Sequence, residues 1–438
     1  MSARRLPSQS VVGMFLLLCM ARWMVSGAIP GDENWDNTFG VPGADSTVEA
    51  IGVIGPRLYL GGSFQSIGGT AASNIAMWNG TRWSSLDSGV DGTVLDLLPF
   101  GSSVFVAGAF STAGGLSSRG LARWDGATWS TPGSVDGWIH TLASDGTNLF
   151  IGGQFTAING LRALRIAQWN GINWHAIGSI TNHAPGCSHC SDDGAVFSLA
   201  TRGQELFVGG RFVYAGTVFA TNLAKWDGTN WSSVGGGVNG PVRAITHNRN
   251  GLFIGGDFSR VGAVTAKKVA KWDGTNWFSL DGGVGDAYPF SVLAVVSNGE
   301  DIYLGGGFSK IGGALASGVA KWNGQAWEAL GSGVSGAGAL ATTGSELFVA
   351  GDFHFSGGKP ATNIALWHIP HPLKVERSGD QLRLSWPGTG TNFALEACSI
   401  LDSSNWASVP QAPVAAGSEL TVTNEVCGPT RFYRLRRR

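Results

Sequence analysis

The chain has 438 residues, a formal net charge of −1 and only 13% charged residues. A protein that binds nucleic acid needs a basic surface to neutralise phosphates, so this balance argues against a nucleic-acid partner. The 68 glycines and 18 tryptophans favour a fold with many sharp turns and large side chains that fill its interior.

The first 28 residues have the pattern of a secretory signal peptide. Arg4 and Arg5 precede an apolar run over 11–21, and small residues at 26–28 predict cleavage after Ala28. The apolar run is too short to cross a bilayer, and no later segment has the required length. The mature protein is therefore expected outside the cell or in the cell envelope, without a membrane span.

One motif recurs seven times after this segment. In each copy, an apolar strand ends in Gly-Gly-x-Phe or Ala-Gly-x-Phe, and a second apolar strand ends in tryptophan. The anchoring residues are Phe64, Phe110, Phe155, Phe212, Phe258, Phe308 and Phe353, which lie 45 to 57 residues apart. A period in the forties with several short strands per unit predicts a β-propeller.

The ends of the chain are predicted to meet. Six copies end in two tryptophans around an Asp-Gly or Asn-Gly turn, but the copy ending at Trp367 lacks the second one. A matching strand begins at Trp35, whose sequence Trp-Asp-Asn-Thr-Phe-Gly-Val is similar to the segment that begins at Trp83. Pairing the two ends would remove an open sheet edge. The predicted fold is therefore all-β, with a seven-bladed β-propeller over 29–370 that is closed by an N-terminal strand.

Each copy is predicted to contain four strands, A to D. In the second copy, strand A is 94–100, strand B is 104–110, strand C is 120–124 and strand D starts at Trp129. The glycine between strands C and D supplies the positive φ that a tight hairpin needs. The repeated tryptophans are interpreted as core residues rather than as a sugar-binding surface, because every copy must solve the same packing problem.

The repeat stops at Pro370, and residues 371–438 have a different pattern. Alternating apolar positions over 382–386 and several later short strands predict a small Ig-like or fibronectin-like β-sandwich. Cys398 and Cys427 are predicted to form a disulfide that stabilises this small domain. The segment resembles the short β modules that close many secreted bacterial proteins, which implies that it attaches, spaces or presents the main domain.

The repeat resembles known propeller families. The glycine pair with a later tryptophan is similar to the kelch repeat of galactose-oxidase-like propellers. The combination of Gly-Gly-x-Phe with Ile-Ala-x-Trp-Asp-Gly-x-x-Trp, as at 225–231, is closer to repeats of secreted bacterial proteins and of fungal cortical marker ectodomains. This resemblance covers about residues 35 to 370. It implies a propeller fold and an interaction or envelope role, with no assigned chemistry.

Two kinds of propeller enzyme are disfavoured. A copper-radical oxidase needs a cross-linked Tyr–Cys pair, but Tyr59 and Tyr303 occupy core positions of strand B and both propeller cysteines lie in one insertion. A sialidase needs clustered arginines, and Arg243 is the one arginine predicted on an inner strand. Its counterparts in the other copies are Glu49, Leu95, His140, Phe197, Leu293 and Gly338. No catalytic residue, cofactor or metal is predicted.

An insertion at 181–193 departs most from the repeat. Its potential metal ligands are Cys187, His189, Cys190, Asp192 and Asp193. A convincing zinc site would need a second cysteine pair, so a local disulfide between Cys187 and Cys190 is favoured. Insertions on a repeat scaffold often mark a binding face.

In a propeller, the D–A and B–C connections share one face, which places the insertion at the mouth of the central channel. The ligand-binding candidates on this face are Asp91, Asp136, Trp138, His189, Asp192, Asp193, Arg243, Asp286 and Tyr288. These residues differ from copy to copy, as ligand contacts do, although ordinary variable loops are the alternative interpretation.

Three functions are consistent with this sequence. The first is a secreted or cell-surface, monomeric, non-enzymatic propeller that binds a protein or a polysaccharide of the envelope or matrix through its loop face. The second is a carbohydrate-active hydrolase or lyase at the channel mouth, whose acidic pair would come from Asp91, Asp136, Asp192 and Asp286. The third is a purely structural envelope protein.

Overall fold

The computed structural model describes residues 29–36, 38–39, 41–184, 194–285, 291–370, 373–387, 393–399, 406–417, 419–425 and 431–437. Within these ranges the regular structure is β, apart from one 3₁₀ turn at Asp32–Asn34, and no helix is long and apolar enough to span a bilayer. Several predicted features lie outside the described residues: the signal peptide 1–28, Cys187, His189, Cys190, Asp192, Asp193, Asp286, Tyr288 and Cys427.

Seven antiparallel sheets of four strands, named sheets 1 to 7 in chain order, share one plan. Strands A are Val48–Ile54, Thr93–Phe100, Trp138–Ser144, Ala195–Arg202, Val242–Asn248, Val292–Asn298 and Ala337–Thr342. Strands B are Arg57–Gly62, Ser103–Ala109, Leu149–Gln154, Glu205–Arg211, Gly251–Gly256, Asp301–Gly306 and Glu346–Gly351. Strands C are Ile75–Trp78, Leu121–Trp124, Ile166–Trp169, Leu223–Trp226, Val269–Trp272, Val319–Trp322 and Ile364–His368. Strands D are Trp83–Ser85, Trp129–Ser130, Trp174–His175, Trp231–Ser233, Trp277–Ser279, Trp327–Ala329 and, for sheet 7, Trp35–Asp36.

The seven strands A form a closed ring. Each strand A contacts strand A of the next sheet, and strand A of sheet 7 contacts strand A of sheet 1. Strands B, C and D follow outward in each sheet. This propeller-like arrangement puts a cavity at the centre, with one strand from every sheet in its wall.

The turn between strands C and D is built by its Asp or Asn. In sheet 2, Asp125 Oδ1 accepts hydrogen bonds from the backbone N–H groups of Ala127 and Thr128, each at 2.8 Å. Gly126 has a φ of 106°, a conformation that favours glycine. The same pair of bonds forms at Asn79, Asn170, Asp227, Asp273 and Asn323.

The paired tryptophans join neighbouring sheets. In sheet 2, the rings of Trp124 and Trp129 lie 5.2 Å apart, and Trp129 Nε1 donates to the carbonyl of Leu86, 3.0 Å away in the connection from sheet 1. Equivalent bonds are made by Trp174, Trp231, Trp277 and Trp327. All tryptophans of the repeats are buried or half-buried except Trp138, which is not one of the pairs. The core interpretation of the pairs is therefore confirmed.

The N-terminal strand completes sheet 7. Trp35 pairs with Trp367 and Asp36 with Leu366, and the two tryptophan rings lie 5.1 Å apart. Trp35 Nε1 donates to the carbonyl of Leu330 at 2.9 Å, which is the bond that the second tryptophan makes elsewhere. The pairing predicted from the N-terminal tryptophan is confirmed.

Each B–C connection folds into a short hairpin that the sequence analysis did not anticipate. The hairpins are Ser66–Ile67 with Thr70–Ala71, Thr112–Ala113 with Leu116–Ser117, Ala157–Ile158 with Leu161–Arg162, Tyr214–Ala215 with Val218–Phe219, Arg260–Val261 with Val264–Thr265, Lys310–Ile311 with Ala314–Leu315, and Phe355–Ser356 with Lys359–Pro360. Residues of the D–A connections pair with them, as Val90 does with Ala113. The two sets of connections therefore share one face, as predicted.

The C-terminal residues form two further sheets. One contains Lys374–Ser378, Gln381–Pro387, Glu419–Glu425 and Val414–Ala416, and the other contains Ala407–Ser408, Phe393–Cys398 and Phe432–Arg437. Leu384 and Trp386 of the first sheet share an apolar cluster with Leu395 of the second. Cys398 is buried, and its disulfide stays a prediction because Cys427 is not among the described residues.

Candidate functional site

Every strand A contains a β-bulge at the same position. In sheet 5, Val242 pairs with Gly256 and Ala244 with Gly255, so Arg243 has no partner on strand B. The equivalent residues, here called the bulge ring, are Glu49, Leu95, His140, Phe197, Arg243, Leu293 and Gly338. A bulge re-aims the side chain of its extra residue, and bulges are common beside functional sites.

All seven bulge-ring residues line one central cavity of about 340 Å³. They share a backbone position but differ in size and charge, whereas the tryptophans and phenylalanines of the sheets recur in every copy. Residues that solve a common packing problem repeat, so this variation marks the bulge ring as the candidate site. It includes Arg243, the one bulge-ring residue among the predicted ligand contacts.

Arg243 is held in a fixed orientation. Its Nε donates to Asp257 Oδ2 at 2.5 Å, and its Cζ lies 5.3 Å from the ring centre of Phe197. Asp257 also accepts a hydrogen bond from the Ser291 hydroxyl. Among the described residues, no hydrogen bond or ion pair engages the two terminal Nη groups of Arg243. These groups are therefore available to a ligand.

His140 extends this cluster along the cavity wall. Its ring lies 5.7 Å from that of Phe197, and its Nε2 lies 3.3 Å from Gln154 Oε1. Burial lowers the pKa of His140, which keeps its imidazole neutral at neutral pH. We call His140, Gln154, Phe197, Arg243 and Asp257 the Arg243 cluster.

Trp138 lies on the rim close to this cluster. It is the first residue of strand A of sheet 3, pairs with Gln154, and is 55% exposed. An exposed tryptophan two residues from His140 offers a flat apolar surface at the edge of the cavity. Of the predicted ligand contacts, the structure therefore places Arg243 in the cavity wall and Trp138 beside Gln154.

The side of the bulge ring that lies opposite Arg243 is acidic. Surrounding strands withdraw Glu49 from bulk water and thereby raise its pKa, and the negative charge of Asp352 raises it further. Gly338 is the bulge-ring residue of the neighbouring sheet 7, and a Cβ built on it would lie 4.0 Å from Glu49 Oε2. This glycine leaves open space beside the carboxylate. In a ring of seven sheets, sheet 1 is opposite sheets 4 and 5, which carry Phe197 and Arg243.

Asp96 is a cavity-lining carboxylate that the sequence analysis missed. Its Oδ2 accepts a hydrogen bond from the backbone N–H of Leu142 at 2.6 Å, and its Oδ1 accepts one from Leu97 at 2.8 Å. Desolvation raises the pKa of Asp96 to about 6 in spite of these bonds. Thr141 and Ser198 make the same contact with the next strand A. The available signal was a single charged residue within the apolar sequence of strand A.

A second ring of side chains lies at the variable position of the Gly-Gly-x-Phe motif. Its members are Ser63, Ala109, Gln154, Arg211, Asp257, Gly307 and Asp352. Gln154 and Asp257 contact His140 and Arg243, and Asp352 acts on Glu49. From the sequence, this motif predicts only the fold. The signal that it missed was a variable residue inside an otherwise repeated motif.

Asp91 and Asp136 have a structural role. Asp91 Oδ1 accepts the backbone N–H groups of Ser111 and Thr112 at 2.7 and 2.8 Å, and Asp136 makes the same bonds in the next sheet. Asp45 and Asn239 repeat the pattern. Partial burial acts to raise the pKa of Asp91 and of Asp136, but the bonds outweigh it and lower both. Because Asp91 and Asp136 anchor the B–C hairpins, the proposed site does not include them.

The base of the insertion is tied to sheet 3 by Arg165. This buried side chain donates from Nε to the carbonyl of Gly194 at 2.6 Å and from Nη1 to that of Ile180 at 2.9 Å. Arg165 thus connects the two ends of the insertion. Across the ranges that the structure describes, no three metal-ligating side chains cluster.

The prediction that Arg243 is the one arginine on an inner strand is wrong. Strand A of sheet 4 continues to Arg202, so Arg243 is not the one arginine on these strands. Arg202 pairs with Glu205 at 2.7 Å at the far end of the strand, next to the A–B turn. It does not line the central cavity.

Comparisons with known proteins give no family. No family model matches the chain, and no curated protein matches its sequence. Among solved structures, the computationally designed Ika8 protein is 14% identical with a TM-score of 0.44, and the match covers 75% of this chain and 98% of that one. A putative 6-phosphogluconolactonase from Bacteroides fragilis is 10% identical with a TM-score of 0.33, covering 89% and 98%. An arabinanase from Bacillus subtilis is 10% identical with a TM-score of 0.27, covering 76% and 96%.

Proposed function

We propose that the mature protein is a secreted or cell-surface propeller that binds a polysaccharide in its central cavity without altering it. In this proposal, sheets 1 to 7 over 29–370 are seven blades, and the N-terminal strand closes the last one. Residues 371–438 form a β-sandwich with a Cys398–Cys427 disulfide, which tethers or spaces the propeller. The closed ring of strands A supports the blade count, and the pattern of residues 1–28 supports secretion.

The bulge ring is the observation that carries this proposal. Seven equivalent backbone positions present six different residue types to one cavity. A purely structural protein would have no reason to vary these residues while repeating their neighbours. Small-molecule sites have volumes of about 300–1,000 Å³, and this cavity of about 340 Å³ accommodates one or two sugar units.

The Arg243 cluster has the chemistry of a sugar site. Sugars present pairs of hydroxyl groups, which planar guanidinium and amide groups bind with two hydrogen bonds, and apolar C–H faces, which pack on aromatic rings. Arg243 in the cavity wall and Gln154, which contacts His140, supply the planar groups, and the exposed ring of Trp138 supplies the stacking surface. A polysaccharide is therefore favoured over a protein partner.

A hydrolase or lyase is the second candidate, and Glu49 is the observation that favours it. A carboxyl group with a raised pKa next to a second carboxylate is the arrangement of a general acid and its partner in glycoside hydrolysis. Asp352 is the second group here. This pair takes the place of Asp91 and Asp136, which serve the hairpins, whereas Asp192 and Asp286 lie outside the described residues.

Binding to a glycan array, followed by calorimetry with the best oligosaccharide, tests the proposal on residues 29–438. Arg243→Ala and Phe197→Ala are expected to weaken binding about tenfold or more, since each removes part of the fixed cluster. Arg119→Ala is the matched control, an exposed arginine on the same face that forms no ion pair with a described residue.

Three results would redirect the proposal. If no glycan binds, the polysaccharide proposal fails, and a protein partner or a structural role takes its place. If Arg119→Ala weakens binding as much as Arg243→Ala, the ligand is not in the cavity. If the bound oligosaccharide is cleaved and Glu49→Gln abolishes cleavage, the protein is a carbohydrate-active enzyme.

A further inference from the structure

We infer that the ligand is an acidic polysaccharide, and that the Nη groups of Arg243 hold the carboxylate of one uronate unit. This inference rests on the proposed function and specifies its ligand. Its starting point is the orientation of Arg243. Asp257 occupies the Nε edge of the guanidinium and Phe197 covers one face, so the edge with the two Nη groups is the one left for a ligand.

A carboxylate fits this edge better than a hydroxyl group does. Two coplanar N–H donors match the two oxygens of a carboxylate, and such charge-assisted bonds are stronger than neutral ones. Asp257 holds Arg243 in place and also offsets much of its charge. Recognition should therefore depend on the paired hydrogen bonds rather than on net charge, and a lysine should not replace the arginine.

The carboxyl groups on one side of the cavity determine which way a bound uronate points. Glu49 and Asp352 form no ion pair with any described residue, and Asp96 adds a third carboxyl group to the wall. These groups repel a carboxylate at their side, which leaves the side of Arg243 as the favourable position. Hydroxyl groups of the same sugar can instead donate to Glu49. The space left by Gly338 lies beside that carboxylate.

The units of the polysaccharide that do not fit in the cavity can leave it past Trp138. This residue is 55% exposed and pairs with Gln154, which contacts His140. The cavity is too small for more than one or two units, so the next unit of a polysaccharide would reach the rim. Stacking of that unit on Trp138 extends the site from the cavity to the surface.

Calorimetry with two matched trisaccharides tests this inference. The probes are trigalacturonate and the same trisaccharide with its carboxyl groups reduced to alcohols. Wild-type protein is expected to bind trigalacturonate about tenfold or more tightly than the reduced form, because one charge-assisted pair is lost on reduction. Arg243→Lys is expected to bring the two affinities within about twofold of each other.

The controls separate this inference from the proposed function. Arg119→Lys changes an exposed arginine on the same face and should keep the wild-type preference, and unfolding curves show that each variant is folded. Equal binding of both trisaccharides by wild-type protein overturns the acidic-sugar inference and leaves the polysaccharide proposal standing. Tighter binding of a chitosan trimer than of trigalacturonate also overturns it and places the ligand at Glu49. Failure of every oligosaccharide to bind overturns both.

Discussion

Desolvation in the cavity wall changes the pKa of single residues, and Asp96 shows the effect most clearly. Its folded pKa of about 6 exceeds the ordinary value of 3.8, so the folded protein holds this proton more tightly than the unfolded chain does. The free energy of unfolding therefore falls as the pH rises from about 4 through 6, where the buried carboxyl group becomes charged.

Asp96→Asn should remove this pH dependence. The variant buries no charge, but its one amide oxygen can keep the hydrogen bond from either Leu142 or Leu97 and not both, so the variant should be about 1–2 kcal/mol more stable than wild type at pH 7.5. The difference should vanish near pH 4. Urea unfolding at the two pH values measures both effects. Asp91→Asn is the control, and it should destabilise at pH 7.5 because the pKa of Asp91 is lowered. An equal effect of Asp96→Asn at both pH values would contradict this assignment.

Gly338 allows the cavity to be filled without damage to the fold. A Cβ at this position meets no atom closer than 3.8 Å, whereas one at Gly351 would lie 2.0 Å from the carbonyl of Gly336. Gly338→Leu should therefore leave the melting temperature nearly unchanged and abolish glycan binding, while Gly351→Ala should destabilise the protein. Calorimetry and thermal unfolding test the pair. Normal glycan binding by Gly338→Leu would place the ligand outside the cavity.

At the scale of the strands, the tryptophan bonds between sheets carry a measurable part of the stability. Trp327 Nε1 donates to the buried carbonyl of Leu280 at 2.9 Å. Trp327→Phe keeps an aromatic ring but leaves that carbonyl unpaired, which should cost about 1–3 kcal/mol in denaturant unfolding. Phe278→Leu, at a nearby position that is 45% exposed, should change stability by less than about 0.5 kcal/mol. Equal effects of the two substitutions would show that the indole bond is unimportant.

The strands that could be predicted from the sequence are those whose core and turn residues recur in every copy. The tryptophan pairs, the Asp-Gly turns and the replacement of a missing strand by Trp35 all recur or complete a pattern. The seven bulge-ring positions could be aligned from the sequence, but the bulge itself could not be predicted, because the extra residue is visible only in the pairing of strands A and B. The contact between Arg243 and Asp257 also spans two strands, and Arg243 is not repeated in any other sheet.

At the scale of the whole molecule, closure by the N-terminal strand should determine stability. Trp35 is 1% exposed and fills the place of a second tryptophan in sheet 7. Trp35→Ala should cost about 3–5 kcal/mol and expose the edge of strand C, which favours association between molecules. Trp138→Ala, at a residue that is 55% exposed, should leave stability almost unchanged. Unfolding curves and light scattering compare them, and similar losses would argue against closure by this strand.

The most direct measurement is a crystal structure of residues 29–438 with a bound oligosaccharide. The proposed site predicts sugar density in the central cavity, with oxygen atoms within hydrogen-bonding distance of the Nη groups of Arg243 and an apolar sugar face toward Trp138. Sugar density only on the outer surfaces of the sheets or on residues 371–438, with the cavity containing water alone, would contradict it.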